Sequence, residues 1–233
     1  MDTNLKNYKY VSQYSENNIN ICEDIEKALR SAWQYTPSKN NFMPYKVHVL
    51  GPKHKQEKEL VYWKCLANET KVNKNPITTM EGLKQYEADM YPIWPPNYRN
   101  IRSAPYLLMF TQRVEDKLNS MQEHLVEQKK FVYEQMATHG PNKEIAQTLA
   151  YLEIGMFAST FANVCLGKGI DVSFIKCFST NLNAWTEPEF SFLDSGPLLL
   201  MTAGIGTQYR RDPMPKDKDL KPDFNRIVNI VSK

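Results

Sequence analysis

The chain has 233 residues, of which 42% are hydrophobic and 12% aromatic, so it can bury the core of one large domain and extended disorder is excluded. The formal net charge of +3 comes from 29 basic and 26 acidic residues that are interspersed along the chain. Because the basic residues form no concentrated face, the charge pattern argues against a nucleic-acid partner.

In chain order, the first half predicts one helix, one strand and two further helices. Apolar residues recur at helical spacing over 21–33, and Pro37 ends this helix because proline disfavours the α conformation at the residue before it. The alternating stretch KVHVL predicts a half-buried strand at 46–50. Further helices are predicted at 53–73, where KHKQEK is expected to form a solvated face, and at 79–90.

The second half predicts a proline-rich loop, two long helices and several buried strands. The stretch YPIWPPNYRN at 91–100 contains three prolines, so an ordered aromatic loop is expected there. An amphipathic helix is predicted at 115–137, and a second helix, apolar nearly all round and rich in small residues, at 142–166. The predicted strands are 104–110, 171–178 and 196–204, with a weak edge strand at 226–231.

Strands separated by helices predict an α+β fold, with a mixed sheet packed between helices. We interpret the chain as a single domain over 1–233. The segments 53–100 and 112–140 are expected to be helical cap insertions, and 207–233 a C-terminal extension.

The sequence also predicts a cytoplasmic protein that does not cross a membrane. The longest apolar runs, 156–166 and 197–205, are too short to span a bilayer. The first ten residues, MDTNLKNYKY, have no apolar signal segment. The cysteines have no CxxC spacing, which favours a reducing compartment; they are Cys22, Cys65, Cys165 and Cys177.

Other kinds of site have little support in the sequence. The GIG at 204–206 lacks the third glycine and the helix of a dinucleotide-binding turn, and the GKG at 167–169 follows a helix instead of preceding one. Both are interpreted as turns. The histidines share no metal-ligand spacing and no GxSxG is present, so neither a metal site nor a hydrolytic triad is expected.

The connector YTPSKNNFMPYKV at 35–47 has two interpretations, a helix-to-strand turn or a ligand-binding loop. Other landmarks follow it in a set order: APYLLMF, EIGMFASTFANVCLGKGID and GPLLLMTAGIG. This order, over roughly residues 10–230, resembles the nitroreductase family of FMN flavoproteins. In that family a PSxxNxQPW segment follows the first long helix.

The resemblance implies that the connector holds a flavin. Pro37, Ser38 and Asn41 match the family's flavin-binding loop. Met43 stands where glutamine is usual, and Tyr45 where tryptophan is usual.

At the phosphate end, the family's basic-x-Ser-x-basic motif falls on Tyr10, Ser12 and Tyr14. The serine is present, but the two charges that would make charge-assisted bonds to the FMN phosphate are not. The family also draws a basic residue from the C-terminal region, which is expected to compensate. The candidates are Lys9 and, in the tail, Arg210, Arg211, Lys218 and Lys221.

Around the flavin ring, the resemblance implies four more contacts. Asn97 matches an asparagine that faces the pyrimidine edge. Arg99 or Arg102 is expected to stabilise negative charge near N1 and C2=O of the reduced ring. Lys176 and Cys177 match the place where backbone N–H groups reach N5 and O4.

The implied function is that of an FMN-dependent oxidoreductase, in which a hydride passes from NAD(P)H through flavin N5 to an acceptor such as a nitroaromatic or a quinone. The resemblance also implies a homodimer with the flavin at its interface, and the small residues of the 142–166 helix suit a C2 contact. Two alternatives stay open. One is other flavin chemistry on the same fold, namely flavin breakdown or reductive dehalogenation; the other is a dimeric module that has lost FMN binding.

Overall fold

The computed structural model describes residues 10–15, 21–38, 43–90, 98–113, 120, 123–124 and 143–209. The strands are β1 (Val11–Tyr14), β2 (Tyr45–Leu50), β3 (Tyr106–Gln112), β4 (Asp171–Ile175), β5 (Pro197–Gly204) and β6 (Gly206–Tyr209). The helices are α1 (Cys22–Tyr35), α2 (Lys55–Val72), α3 (Met80–Met90), α4 (Asn100–Ser103) and α5 (Lys143–Gly167). A four-stranded sheet has the order β2-β3-β5-β4, and β1 pairs with β6 in a two-stranded sheet.

Two hydrophobic cores on opposite faces of the larger sheet confirm the predicted α+β fold. Leu108 and Phe110 of β3 pack with α1 and α5, whereas Leu107 and Met109 of the same strand pack with α2, α3 and α4. Burial on both faces explains why β3 is a continuous apolar run. Every strand pairing among the described residues is antiparallel, including both partners of β3.

Several element boundaries follow from local sequence as predicted. Helix α1 ends at Tyr35, and the next backbone N–H, that of Thr36, still donates to Ala32 O. Helix α3 begins after Thr79, whose Oγ1 accepts the Gly82 N–H at 3.2 Å. After α5, Gly169 has φ +72°, the left-handed conformation that glycine adopts readily at the end of a helix.

The prediction that KHKQEK forms a solvated face is wrong at Lys58. This side chain is 3% exposed, and its ammonium donates to the carbonyl oxygens of Ala104 at 2.7 Å and Pro105 at 3.2 Å. A buried lysine must have such partners, because an unpaired ammonium is very unfavourable away from water. Helix α2 is therefore attached to the start of β3 by a polar contact as well as by apolar packing.

Helix α5 is partly buried and partly exposed. Its stretch Thr148–Gly167 is long and apolar enough to cross a membrane by length and composition, and 44% of it is buried inside the protein. Ala150, Phe157 and Phe161 belong to the core that lies between this helix, α1 and the sheet. The opposite side exposes Leu152, which is 61% accessible.

Candidate functional site

A groove of about 600 Å³ runs along the exposed side of α5, beside the start of the connector. The predicted site residue Pro37 forms part of its wall. At Gly155 an added Cβ would meet no atom within 4 Å, so this glycine leaves an open floor. The remaining lining residues are Tyr151, Leu152, Met156, Ser159 and Thr160. In the sequence, Gly155 and Ser159 stood out only as small residues that allow a second helix to pack closely against this one.

The connector is closed at its base by the second predicted residue, Ser38. The Met43 N–H donates to Ser38 Oγ at 2.8 Å. Met43 has φ +45°, a conformation that L-residues other than glycine adopt rarely. Asn41 lies outside the described residues, so its flavin contact stays a prediction. The Ser38 bond and the Met43 backbone together set where the connector enters β2.

Two hydroxyl groups at the ends of the connector are buried without a hydrogen-bond partner in the described part of the chain. They are Thr36 Oγ1 and the Tyr45 hydroxyl, on residues that are 5% and 7% exposed. Buried polar groups are nearly always satisfied by protein, water or a ligand. These hydroxyls are therefore candidates for ligand contacts that the sequence did not single out.

Lys176 connects the end of β4 to the same groove. Its ammonium donates to Leu198 O and lies 4.9 Å from the centre of the Tyr151 ring, a cation–π distance. Burial lowers the pKa of Lys176. Because Tyr151 lines the groove, Lys176 adds a positive charge next to the Tyr151 side of the groove. The neighbouring Cys177 is an exposed free thiol.

The motif matched to the phosphate site does not follow the pattern of a regular strand. In such a strand Ser12 and Tyr14 would share a face, but β1 has register shifts between Val11 and Gln13 and between Gln13 and Tyr14. As a result Val11 and Tyr14 are both buried, Ser12 is half-buried and Gln13 is exposed. Tyr10, also half-buried, lies just before the strand.

The Tyr14 side chain is engaged inside the protein. Its hydroxyl lies 2.9 Å from Thr202 Oγ1, and burial raises its pKa well above the usual range for tyrosine. The group is therefore a neutral hydroxyl at neutral pH. Of the three residues matched to the motif, Ser12 is better placed than Tyr14 to meet a ligand.

Strand β1 is held in place by polar side chains from two other elements. Asn100 Nδ2 donates to Val11 O at 2.8 Å, and Ser103 Oγ accepts the Tyr14 N–H at 3.0 Å. The Val11 N–H donates to Ser173 Oγ at 3.3 Å. These long-range contacts fix the backbone on both sides of Ser12.

The two arginines considered for the flavin ring differ in their surroundings. Arg102 makes a bidentate ion pair with Glu59, contacts Glu87 at 2.6 Å and stacks on Tyr62 at 3.7 Å. The guanidinium of Arg102 is therefore engaged within the protein. Arg99 is half-buried just before α4, and its flavin contact stays a prediction. Three other predicted site residues, Asn97, Arg210 and Lys221, lie outside the described residues.

Solved structures with the same fold come from several bacteria. A proposed NAD(P)H:FMN oxidoreductase from Staphylococcus epidermidis ATCC 12228 has a TM-score of 0.62 at 14% identity, covering 98% of this chain and 94% of that one. A nitroreductase family protein from Streptococcus pneumoniae TIGR4 has a TM-score of 0.56 at 14% identity, covering 98% of each chain. A BluB-like flavoprotein from Clostridium difficile 630 has a TM-score of 0.57 at 13% identity, covering 98% and 97%.

The chain therefore has the nitroreductase-like fold, which confirms the resemblance at the level of the fold. No family model matches the sequence, and no curated protein matches it. At 13–14% identity the similarity to these structures concerns the fold and does not extend to most individual residues. The function has to be argued from the residues of the site.

Proposed function

We propose that this protein is an FMN-dependent oxidoreductase that takes reducing equivalents from NAD(P)H and delivers them to an acceptor such as a nitroaromatic or a quinone. The observation that carries the proposal is the groove between Pro37 and the glycine floor at Gly155. It lies at the connector that was matched to a flavin loop, in a fold whose solved examples include proteins named as FMN oxidoreductase and nitroreductase.

The residues present fit a flat ring with carbonyl oxygens. Gly155 lets a planar group approach the helix, because no side chain rises from that position. The unpartnered hydroxyls of Thr36 and Tyr45 can donate to ring acceptor atoms. Leu152 and Met156 give one side of the groove an apolar surface. The chemistry supplied by bound FMN is hydride transfer at N5, which needs no protein nucleophile.

Other residues keep the roles that the resemblance implies, as part of this proposal. Asn41 and Asn97 would orient the ring through amide hydrogen bonds, and Arg99 would stabilise its negative charge. Ser12 and Tyr10 would meet the phosphate with neutral donors. The positive charge would come from Arg210 or Lys221, since Tyr14 is neutral and engaged with Thr202.

We also propose that the protein is a cytoplasmic homodimer whose contact includes the exposed side of α5. Apolar side chains are exposed there and at the end of α1: Leu152 is 61% accessible, Trp33 60% and Tyr35 70%. Large apolar side chains exposed together indicate an interaction surface. A second copy of the chain would cover them and complete the groove.

The first test is whether the purified protein carries a flavin. We expect a yellow protein that releases FMN on denaturation, binds FMN with micromolar or tighter affinity after its removal, and oxidises NAD(P)H when a quinone is added. Protein that stays colourless in excess FMN would refute the proposal. Size-exclusion chromatography with light scattering reports the dimer independently.

Substitutions at Gly155 test the groove itself. Gly155→Trp should fill it and lower FMN affinity at least tenfold without loss of fold, because the added side chain starts in open space. Gly155→Ala is the matched control; alanine favours the helix by about 1 kcal/mol over glycine and leaves the groove open. Equal FMN binding by both variants would place the flavin elsewhere.

A second candidate function is flavin breakdown on the same fold. The resemblance to the family leaves this chemistry open, and the fold is shared with a protein named only as a BluB-like flavoprotein. The two candidates differ when the reduced protein meets air: an NAD(P)H oxidoreductase returns to the oxidised flavin spectrum, whereas a flavin-consuming enzyme loses it. The observation that favours a binding module without enzymatic activity is the neutral, internally bonded Tyr14, and the FMN titration tests that alternative too.

A further inference from the structure

Tyr45 is the first residue of β2, and its side chain points into the protein beside α5. It is 7% exposed, and its ring meets the Phe157 ring edge-on with centroids 5.5 Å apart. Glu153 precedes Phe157 by one helical turn, so both lie on the same face of α5. Glu153 is 3% exposed. Tyr45 therefore lies where a buried carboxylate and an aromatic ring flank it.

The hydroxyl of Tyr45 has no hydrogen-bond partner in the part of the chain that the structure describes. A buried donor without a partner loses its hydration and gains nothing in return, which is unfavourable for the folded protein. Such a group persists in a binding site when a ligand supplies the missing partner. The groove is lined by Pro37 of the same connector and by Met156, the chain neighbour of Phe157 in α5.

The surroundings of Tyr45 determine which ligand atom it can meet. Burial, and to a lesser extent the charge of Glu153, raise the pKa of Tyr45 to about 12, so the hydroxyl keeps its proton and can donate. The same negative charge repels a phosphate or carboxylate placed at this point. The partner must therefore be a neutral acceptor, either a carbonyl oxygen or a ring nitrogen.

We propose that Tyr45 is a ligand-binding residue whose hydroxyl donates to a neutral acceptor atom on the ring of the bound molecule, while Glu153 keeps anionic groups away from this end of the groove. This assignment rests on the proposed flavin function and adds the direction in which the bound flavin lies along the connector. The ring lies at the Tyr45 end of the connector, and the phosphate lies away from it. Tryptophan is the family's usual residue at position 45. Its only side-chain donor is the indole N–H, which lies at a different point from a tyrosine hydroxyl.

The test compares Tyr45→Phe with the wild type, using FMN and riboflavin as probes because they share the ring and differ in the phosphate. We expect the dissociation constants of both probes to rise by the same factor, about five- to tenfold for one lost hydrogen bond. The melting temperature of the ligand-free variant should be equal to or higher than that of the wild type, since no bond within the protein is lost.

The matched control is Tyr62→Phe, which removes a buried hydroxyl that does have a partner, Glu87, on the other side of the sheet. It should lower the melting temperature and leave both dissociation constants unchanged.

Each of the other possible outcomes contradicts either the assignment of Tyr45 or the proposed function. If the wild type binds both probes and Tyr45→Phe binds them equally well, the assignment of Tyr45 is overturned and the proposed function stands. Weaker binding of FMN alone would place the phosphate at Tyr45 and also overturn it. A clear fall in the melting temperature of ligand-free Tyr45→Phe would mean that the hydroxyl has a protein partner. A wild type that binds neither probe refutes the proposed function, and this assignment with it.

Discussion

The hydroxyl of Tyr14 on β1 lies 2.9 Å from the hydroxyl of Thr202 on β5, and both residues are almost fully buried. This pair joins the small two-stranded sheet to the main sheet at the position where the phosphate motif was expected to have a charge. A lysine or arginine in place of Tyr14 would have to bury its charge beside the neutral Thr202 hydroxyl. Tyrosine is therefore the residue that fits this packing.

Removing the Tyr14 hydroxyl should weaken the fold and leave flavin binding unchanged. We expect Tyr14→Phe to lower the free energy of unfolding by about 1–2 kcal/mol, because Thr202 loses a buried partner. Thr202→Val should have a similar effect, and the double variant should lose less than the sum of the two. Urea unfolding measures all three. A large loss of FMN affinity in Tyr14→Phe with unchanged stability would contradict this structural role.

Much of the fold was predictable because its signals are local. Pro37 ends α1, Thr79 caps α3, and the apolar run of β3 indicates burial on both faces, all from neighbouring residues. The burial of Lys58 was not predictable, since its partners are the carbonyl groups of Ala104 and Pro105, far along the chain. Charge patterns report a solvated face only when no distant acceptor is available.

The site was predictable in part for the same reason. The connector and Pro37 were found from a motif, and the groove does lie there. The sequence did not show that Tyr14 is buried, because the register shifts of β1 belong to its pairing with β6, a strand far along the chain. The Tyr45 hydroxyl has no sequence signal, since only the packed structure shows that it is buried and that no described residue gives it a hydrogen bond.

The glycines of this fold should differ sharply in their tolerance of a side chain. At Gly196 an added Cβ would lie 1.9 Å from the Thr180 carbonyl oxygen, and backbone cannot move aside as a flexible side chain can. We expect Gly196→Ala to lower the free energy of unfolding by more than about 3 kcal/mol, or to prevent folding. Gly155→Ala, where the Cβ meets no atom, is the control and should be neutral or stabilising. Equal melting temperatures for the two variants would contradict the close approach at Gly196.

Lys58 should make stability depend on pH in an unusual range. Burial lowers its pKa to about 8, with a smaller contribution from the charge of Lys55 and an opposing one from Glu57. In the unfolded chain the pKa returns to about 10.4. Between these values the unfolded state holds more protons, so the free energy of unfolding rises with pH, by at most about 1.4 kcal/mol per pH unit.

The measurement is urea unfolding between about pH 8 and 9, where unfolded tyrosines, with a pKa of about 10, still keep most of their protons. Lys58→Met should remove this part of the slope, because the methionine side chain does not titrate. Comparing the two proteins cancels the titration of all other groups. Parallel slopes for the variant and the wild type would show that Lys58 stays protonated in the fold.

Arg102 should hold together the three helices on the face of the sheet opposite α5. It pairs with Glu59 of α2 and Glu87 of α3 from its own place in α4, and the Glu87 side chain is only 16% exposed. Arg102→Met should lower the free energy of unfolding by about 3 kcal/mol, since it leaves partly buried carboxylates without their cation. Arg102→Lys should recover less than half of that, because an ammonium cannot make the bidentate bond or stack as guanidinium does. If Lys restores full stability, charge alone is sufficient and the guanidinium geometry is not needed.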